Sequence, residues 1–79
     1  MKANIIVTLK NGLLDPQGKA IEDALRSLDI AGVESVRQGK IFEVELAVDD
    51  RAKAQDLLKA ACEKLLANTI VENYRIEIA

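Results

Sequence analysis

A chain of 79 residues, 49% apolar and 30% charged, has room for a single domain spanning residues 1–79 and is too apolar for a disordered segment. A net charge of −2, a pI near 5.0 and only two aromatic residues, Phe42 and Tyr74, provide neither the basic footprint of a nucleic-acid binder nor a platform for stacked bases. With no histidine and only Cys62, neither a zinc site nor an intrachain disulfide is available, and no apolar run approaches the ~18 residues of a membrane span.

The setting expected is cytoplasmic. A chain this short buries only about 60% of its unfolded surface, so self-association or a partner protein is the expected support.

Asn4 to Lys10 is β-branched-rich and ends at Asn11-Gly12, which predicts a first strand with Ile5, Val7 and Leu9 on one face. Asp15 then offers a carboxylate N-cap and Pro16 suits the first helical position, where a missing N–H costs nothing. Ile21, Ala24, Leu25 and Leu28 recur at three and four residues and mark the buried face of a first helix that frays near Asp29, with Gly32 in the loop beyond. Val33 to Gln38 reads as a weaker strand. Gly39-Lys40 would turn it into Ile41 to Val48, where Phe42, Val44, Leu46 and Val48 alternate with Glu43 and Glu45.

Asp49 or Asp50 caps a second helix from Arg51 to about Ala67, with Ala54, Leu57, Leu58, Ala61, Leu65 and Cys62 as its apolar stripe and Asn68 as a left-handed stop. Val71 to Ile78 alternates again, with Tyr74, Ile76 and Ile78 on one face. The order β-α-β-β-α-β predicts an α+β domain of ferredoxin-like, split-βαβ form. It would have a four-stranded antiparallel sheet, both helices on one face, and the first and third strands in the centre.

Gly12, Gly18 and Lys19 resemble a phosphate-binding loop only superficially. Five residues separate the glycines, Ala20 stands where a magnesium-ligating hydroxyl is needed, and Pro16 removes a backbone donor. A capped helix start explains the stretch better, although Gln17-Gly18 is not what helix propensity selects. A bare Gly18 lets another backbone or a ligand approach closely.

Cys62, mid-helix with no base in reach, reads as a small buried hydrophobe, and Ser27 and Ser35 lack a basic partner. Glu43 and Glu45 read as solvated strand charges pairing with Arg75 or Lys10. No catalytic residue, bound cofactor or metal ligand is assigned. The face bearing Asn4, Thr8, Lys10, Glu43, Glu45, Arg75 and Glu77 is mostly polar, with Ile6 and Ile41 as exceptions.

Three segments taken in order resemble a known family. They are Leu14-Asp15-Pro16-Gln17-Gly18, Val36-Arg37-Gln38-Gly39-Lys40, and Cys62 to Asn68, "CEKLLAN". The chain is similar over its whole length to the PurS family, the small accessory subunit of bacterial and archaeal phosphoribosylformylglycinamidine synthase. Asn68-Thr69 departs from the Asn-Pro common there.

The resemblance implies a non-catalytic subunit that dimerises and joins two partners. One is a large synthetase subunit, which holds ATP and magnesium. The other is a glutaminase subunit, which releases ammonia. The complex makes formylglycinamidine ribonucleotide in de novo purine synthesis. Partner-contact candidates are Asp15, Pro16, Gln17, Gly18, Arg37, Gly39, Lys40 and Asn68. The alternative from the fold alone is a stand-alone ferredoxin-like domain that binds a small metabolite or another protein.

Overall fold

The computed structural model of the protein describes residues 1–10 and 15–79. The Asn11-Gly12 turn and Leu14 lie outside the described residues. The elements are β1 (Lys2–Leu9), α1 (Pro16–Ser27), β2 (Gly39–Glu45), α2 (Arg51–Ala61) with a following π-helical turn (Cys62–Leu66), and β3 (Glu72–Ile78).

β1 is central and antiparallel to both neighbours in the order β2-β1-β3. Ile5 stands opposite Phe42 on one side and Ile76 on the other. Period-two alternation then puts Ala3, Ile5 and Val7 on one face, where all three are buried. α2 covers that face with Ala54, Leu58 and Cys62, and Ala67 completes the core. The opposite face carries Asn4, Thr8, Glu43, Arg75 and Glu77, with Ile6 half-buried and Ile41 exposed, as its polar pattern predicts.

Four expectations need correction. Val33 to Gln38 is not a strand, so no hairpin forms with the strand after it, and Gly39 and Lys40 belong to β2 itself, opposite Thr8 and Val7. A ferredoxin-like sheet would follow the order 4-1-3-2. The observed sheet keeps 4-1-3 and lacks its last member, so the strand expected in the centre lies at an edge. The segment fails as a strand because its backbone groups are engaged elsewhere, as described below.

Second, α1 does not cover the sheet. It makes no broad packing contact with any strand or with α2, and the molecule measures 48 × 25 × 14 Å. Ile21, Ala24 and Leu28 are exposed and Leu25 is half-buried, so the amphipathic face exists but no element among the described residues covers it.

Third, the stripe of α2 changes face near its end. The Ala67 N–H donates to the Cys62 carbonyl, five residues back, so the last turn is wider than an α-turn. That extra residue per turn brings Leu66 and Ala67 inward and leaves Leu65 82% exposed, while Leu57 is 48% exposed.

Fourth, Asn68 is not a left-handed stop. Among the described non-glycine residues only Asp29 has a positive φ, at 59°. The helix ends because Ala67 is extended. Asn68 opens a turn in which its carbonyl accepts from the Val71 and Glu72 N–H groups and its Oδ1 from the Ile70 N–H.

The exposed charges also pair differently from expectation. Glu45 faces Lys2 across β1 at 3.7 Å, and Arg75 pairs within its own strand with Glu77 at 3.1 Å. No helix among the described residues is long and apolar enough to cross a membrane.

Candidate functional site

The site grows from the first turn of α1. Asp15 caps the helix as its sequence position predicts: Oδ1 accepts the Gly18 N–H at 2.9 Å. The second oxygen is also engaged. Oδ2 accepts the Gln38 N–H at 3.0 Å, from a residue 23 positions away. One carboxylate therefore ties the start of α1 to the segment leading into β2.

A second tie lies about two turns on, where Glu22 Oε2 accepts the Val36 N–H at 3.1 Å. Gly18 lies between them and is buried. A Cβ at Gly18 would press into the Val36 carbonyl oxygen and the Asp15 carboxylate, so the close approach read from the bare residue is to a backbone of the same chain. The 36–38 segment gives its N–H groups to two carboxylates instead of a strand ladder, which is why it is not a strand.

The Asp15 pKa lies below its ordinary 3.8. The Gln38 N–H is the largest cause, followed by the Gly18 N–H, with the positive charge of Arg37 adding to both. The Arg37 guanidinium donates to the Leu9 carbonyl at the end of β1. Gly39, in register with Thr8, has no space for a side chain, because a Cβ would meet the Val7 carbonyl oxygen.

Lys40 extends the network across the sheet: its Nζ is 3.7 Å from Glu72 Oε2 and 6.0 Å from the Phe42 ring centroid. The other oxygen of Glu72 accepts the Asn68 N–H at 2.7 Å. The three sequence motifs thus meet at one end of the sheet. Asp15, Gln17, Gln38, Gly39, Lys40 and Glu72 line a shallow cleft of about 320 Å³ there. Pro16 and Gln17 stand exposed on its helix side.

Two residues of this junction were not singled out in the sequence. Glu22 belongs to the polar side of the α1 pattern, and Glu72 starts an alternating strand, so neither breaks its local pattern. Only their low side-chain exposure, 15% and 17%, sets them apart. Among the described residues no cluster of acidic or sulfur side chains could hold a metal ion. Cys62 is buried, and that burial pushes its thiol pKa up, away from reactivity.

Structural carboxylates, fitted glycines and an exposed rim define a small α+β domain whose three motifs gather at one end of its sheet. Comparison with known proteins makes the class specific. Residues 2–79 match the PurS family, described as phosphoribosylformylglycinamidine (FGAM) synthase. The phosphoribosylformylglycinamidine synthase subunit PurS of Bacillus subtilis is 46% identical over 77 residues, covering 98% of this chain and 90% of that protein.

Two solved structures agree in fold. PurS of Methanocaldococcus jannaschii superposes with a TM-score of 0.88 at 33% identity, covering 96% of this chain and 92% of that one. A chain of the Thermotoga maritima PurLQS structure superposes with a TM-score of 0.90 at 36% identity, covering 98% and 95%. The chain belongs to the PurS family of FGAM synthase subunits.

Proposed function

We propose that this chain is the non-catalytic accessory subunit that bridges the synthetase and glutaminase subunits of FGAM synthase and supports the passage of ammonia between them. It acts in the cytoplasm as a homodimer and binds no cofactor of its own. ATP and magnesium belong to the large synthetase subunit, so the ligase chemistry is that of the complex. The likeness to a chain of the PurLQS structure supports this reading.

The observation that carries it is the meeting of the three family-like motifs in one hydrogen-bonded junction, where Asp15, Lys40 and Glu72 are engaged with groups of the same chain. Asp15, Gly18 and Gly39 shape that junction from within. Pro16, Gln17, Arg37, Lys40 and Asn68 form its exposed rim, and this rim is the contact surface for the partner subunits.

Size-exclusion chromatography of the three mixed subunits tests it. The wild-type chain should co-elute with both partners, and a Gln17→Ala, Lys40→Ala double variant should dissociate more readily while keeping its fold. Full-strength assembly by that folded variant would remove the rim from the interface.

A further inference from the structure

Lys40 and Glu72 sit on the two strands that flank β1, at the end of the sheet where the three motifs meet. Lys40 stands opposite Val7 and Glu72 opposite Leu9, so their ion pair crosses β1 on a diagonal. The two partners are unlike. The Glu72 side chain is 17% exposed and the Lys40 side chain 55% exposed.

Glu72 is held from several sides. Its Oε1 accepts the Asn68 N–H at 2.7 Å, and its own N–H donates to the Asn68 carbonyl at 2.7 Å. The carbonyl of the preceding Val71 accepts the Lys10 N–H at 2.9 Å. These bonds close the turn from Asn68 to Glu72 and leave Oε2 3.7 Å from Lys40 Nζ. A carboxylate kept only to hold the turn would need one oxygen, and the Asn68 N–H uses it. The second oxygen serves Lys40.

Among the described residues the Lys40 ammonium meets only this carboxylate and the Phe42 ring, whose centroid is 6.0 Å away. A lysine has three N–H donors on a flexible four-carbon stem. Glu72 therefore restrains a group that would otherwise sweep a wide arc, and keeps it beside the cleft that Gln17 and Thr8 also line. With one partner so exposed, the pair adds little to folding.

We propose that Glu72 is a positioning residue for assembly: it holds the Lys40 ammonium where it donates to an oxygen acceptor of a partner subunit. Glu72 acts through Lys40 and need not touch the partner itself. A side chain whose rotamers are already restricted loses less freedom on binding, so the restraint favours the complex. The inference rests on the reading of the rim as the contact surface for the partner subunits.

Glu72→Gln separates the two oxygens. The carboxamide keeps an acceptor for the Asn68 N–H and loses the charge that holds Lys40. Affinity for the mixed synthetase and glutaminase subunits is measured by sedimentation velocity for wild type, Glu72→Gln, Lys40→Ala and the double variant. Glu72→Gln should weaken assembly about 2- to 10-fold, the scale of freeing one rotamer-rich side chain, and should have no further effect beside Lys40→Ala. Equal weakening in both backgrounds would overturn the proposal, because Glu72 would then act without Lys40. Full-strength assembly by Glu72→Gln, with Lys40→Ala weakened, would also overturn it and leave the rim in the interface. Full-strength assembly by Lys40→Ala would remove Lys40 from the rim, and the inference would fall with that reading.

NMR relaxation of the Lys40 side chain gives a second measurement that needs no partner subunit. Its motion should increase in Glu72→Gln while amide exchange at Asn68 stays slow. Equal Lys40 order in the two chains would contradict the positioning role.

Discussion

The β3 side and the β2 side of the sheet are made from similar alternating strands yet end in different states. Over β1 and toward β3, α2 closes the layer, and Ile5, Val7, Leu58 and Cys62 are almost wholly removed from water. Toward β2 the corresponding helix is absent, and Phe42, Val44 and Leu46 keep part of their surface exposed. The closed side therefore supplies most of the chain's own stability, while the open side and α1 retain apolar surface in contact with water. In a chain of this length that division limits the stability of the isolated subunit.

The largest expected effect falls on the closed side. Leu58→Ala should cost about 2–5 kcal/mol in urea unfolding, because the cavity it leaves is enclosed by the sheet. Leu28→Ala, exposed on α1, should change the stability of the monomer by less than about 0.5 kcal/mol. Similar losses at the two positions, measured at concentrations where the chain is monomeric, would erase the distinction between the sides.

Gly18→Ala comes next, at about 1–3 kcal/mol, since its new methyl group must displace the Val36 backbone or the Asp15 carboxylate. Amide exchange should then quicken at Gln38 and Val36 while β1 and β3 stay protected.

The smallest effect is a titration. Asp15 has a lower pKa in the folded chain than its ordinary 3.8. Its stabilising contribution is therefore complete above that value and is lost as pH falls through the folded-state pKa. The amide proton shifts of Gly18 and Gln38 should titrate together with a midpoint below 3.8, and Asp15→Asn should abolish the shared transition. Independent midpoints would break the link between helix and segment.

The closed side was the legible one. The strands around Ile5 and Ile76, the Asp50 cap and the inward faces of Leu58 and Cys62 follow from local period and capping chemistry, as does the Asp15 cap of α1 away from that side. What lay outside local pattern was lost. Val33 to Gln38 alternates weakly enough to pass for a strand, and only the distant carboxylates of Asp15 and Glu22 decide otherwise. Leu65 keeps helical spacing but turns outward, because i→i+5 bonding widens the last turn.

The candidate site was readable as three separate motifs. Their junction was not, because the residue that closes it, Glu72, reaches Lys40 only through a sheet register that the sequence does not display. Gly18 is the intermediate case: its oddity in a helix start was visible, and its neighbour, Val36, was not.

The accessory role is tested most directly by FGAM synthase turnover of the synthetase and glutaminase subunits, with and without this chain, supplied either with glutamine or with ammonium as the nitrogen source. Omitting the chain should abolish glutamine-dependent turnover and spare ammonium-dependent turnover, because a bridging subunit serves nitrogen transfer and not the synthetase reaction. Undiminished glutamine-dependent turnover without the chain would contradict the account.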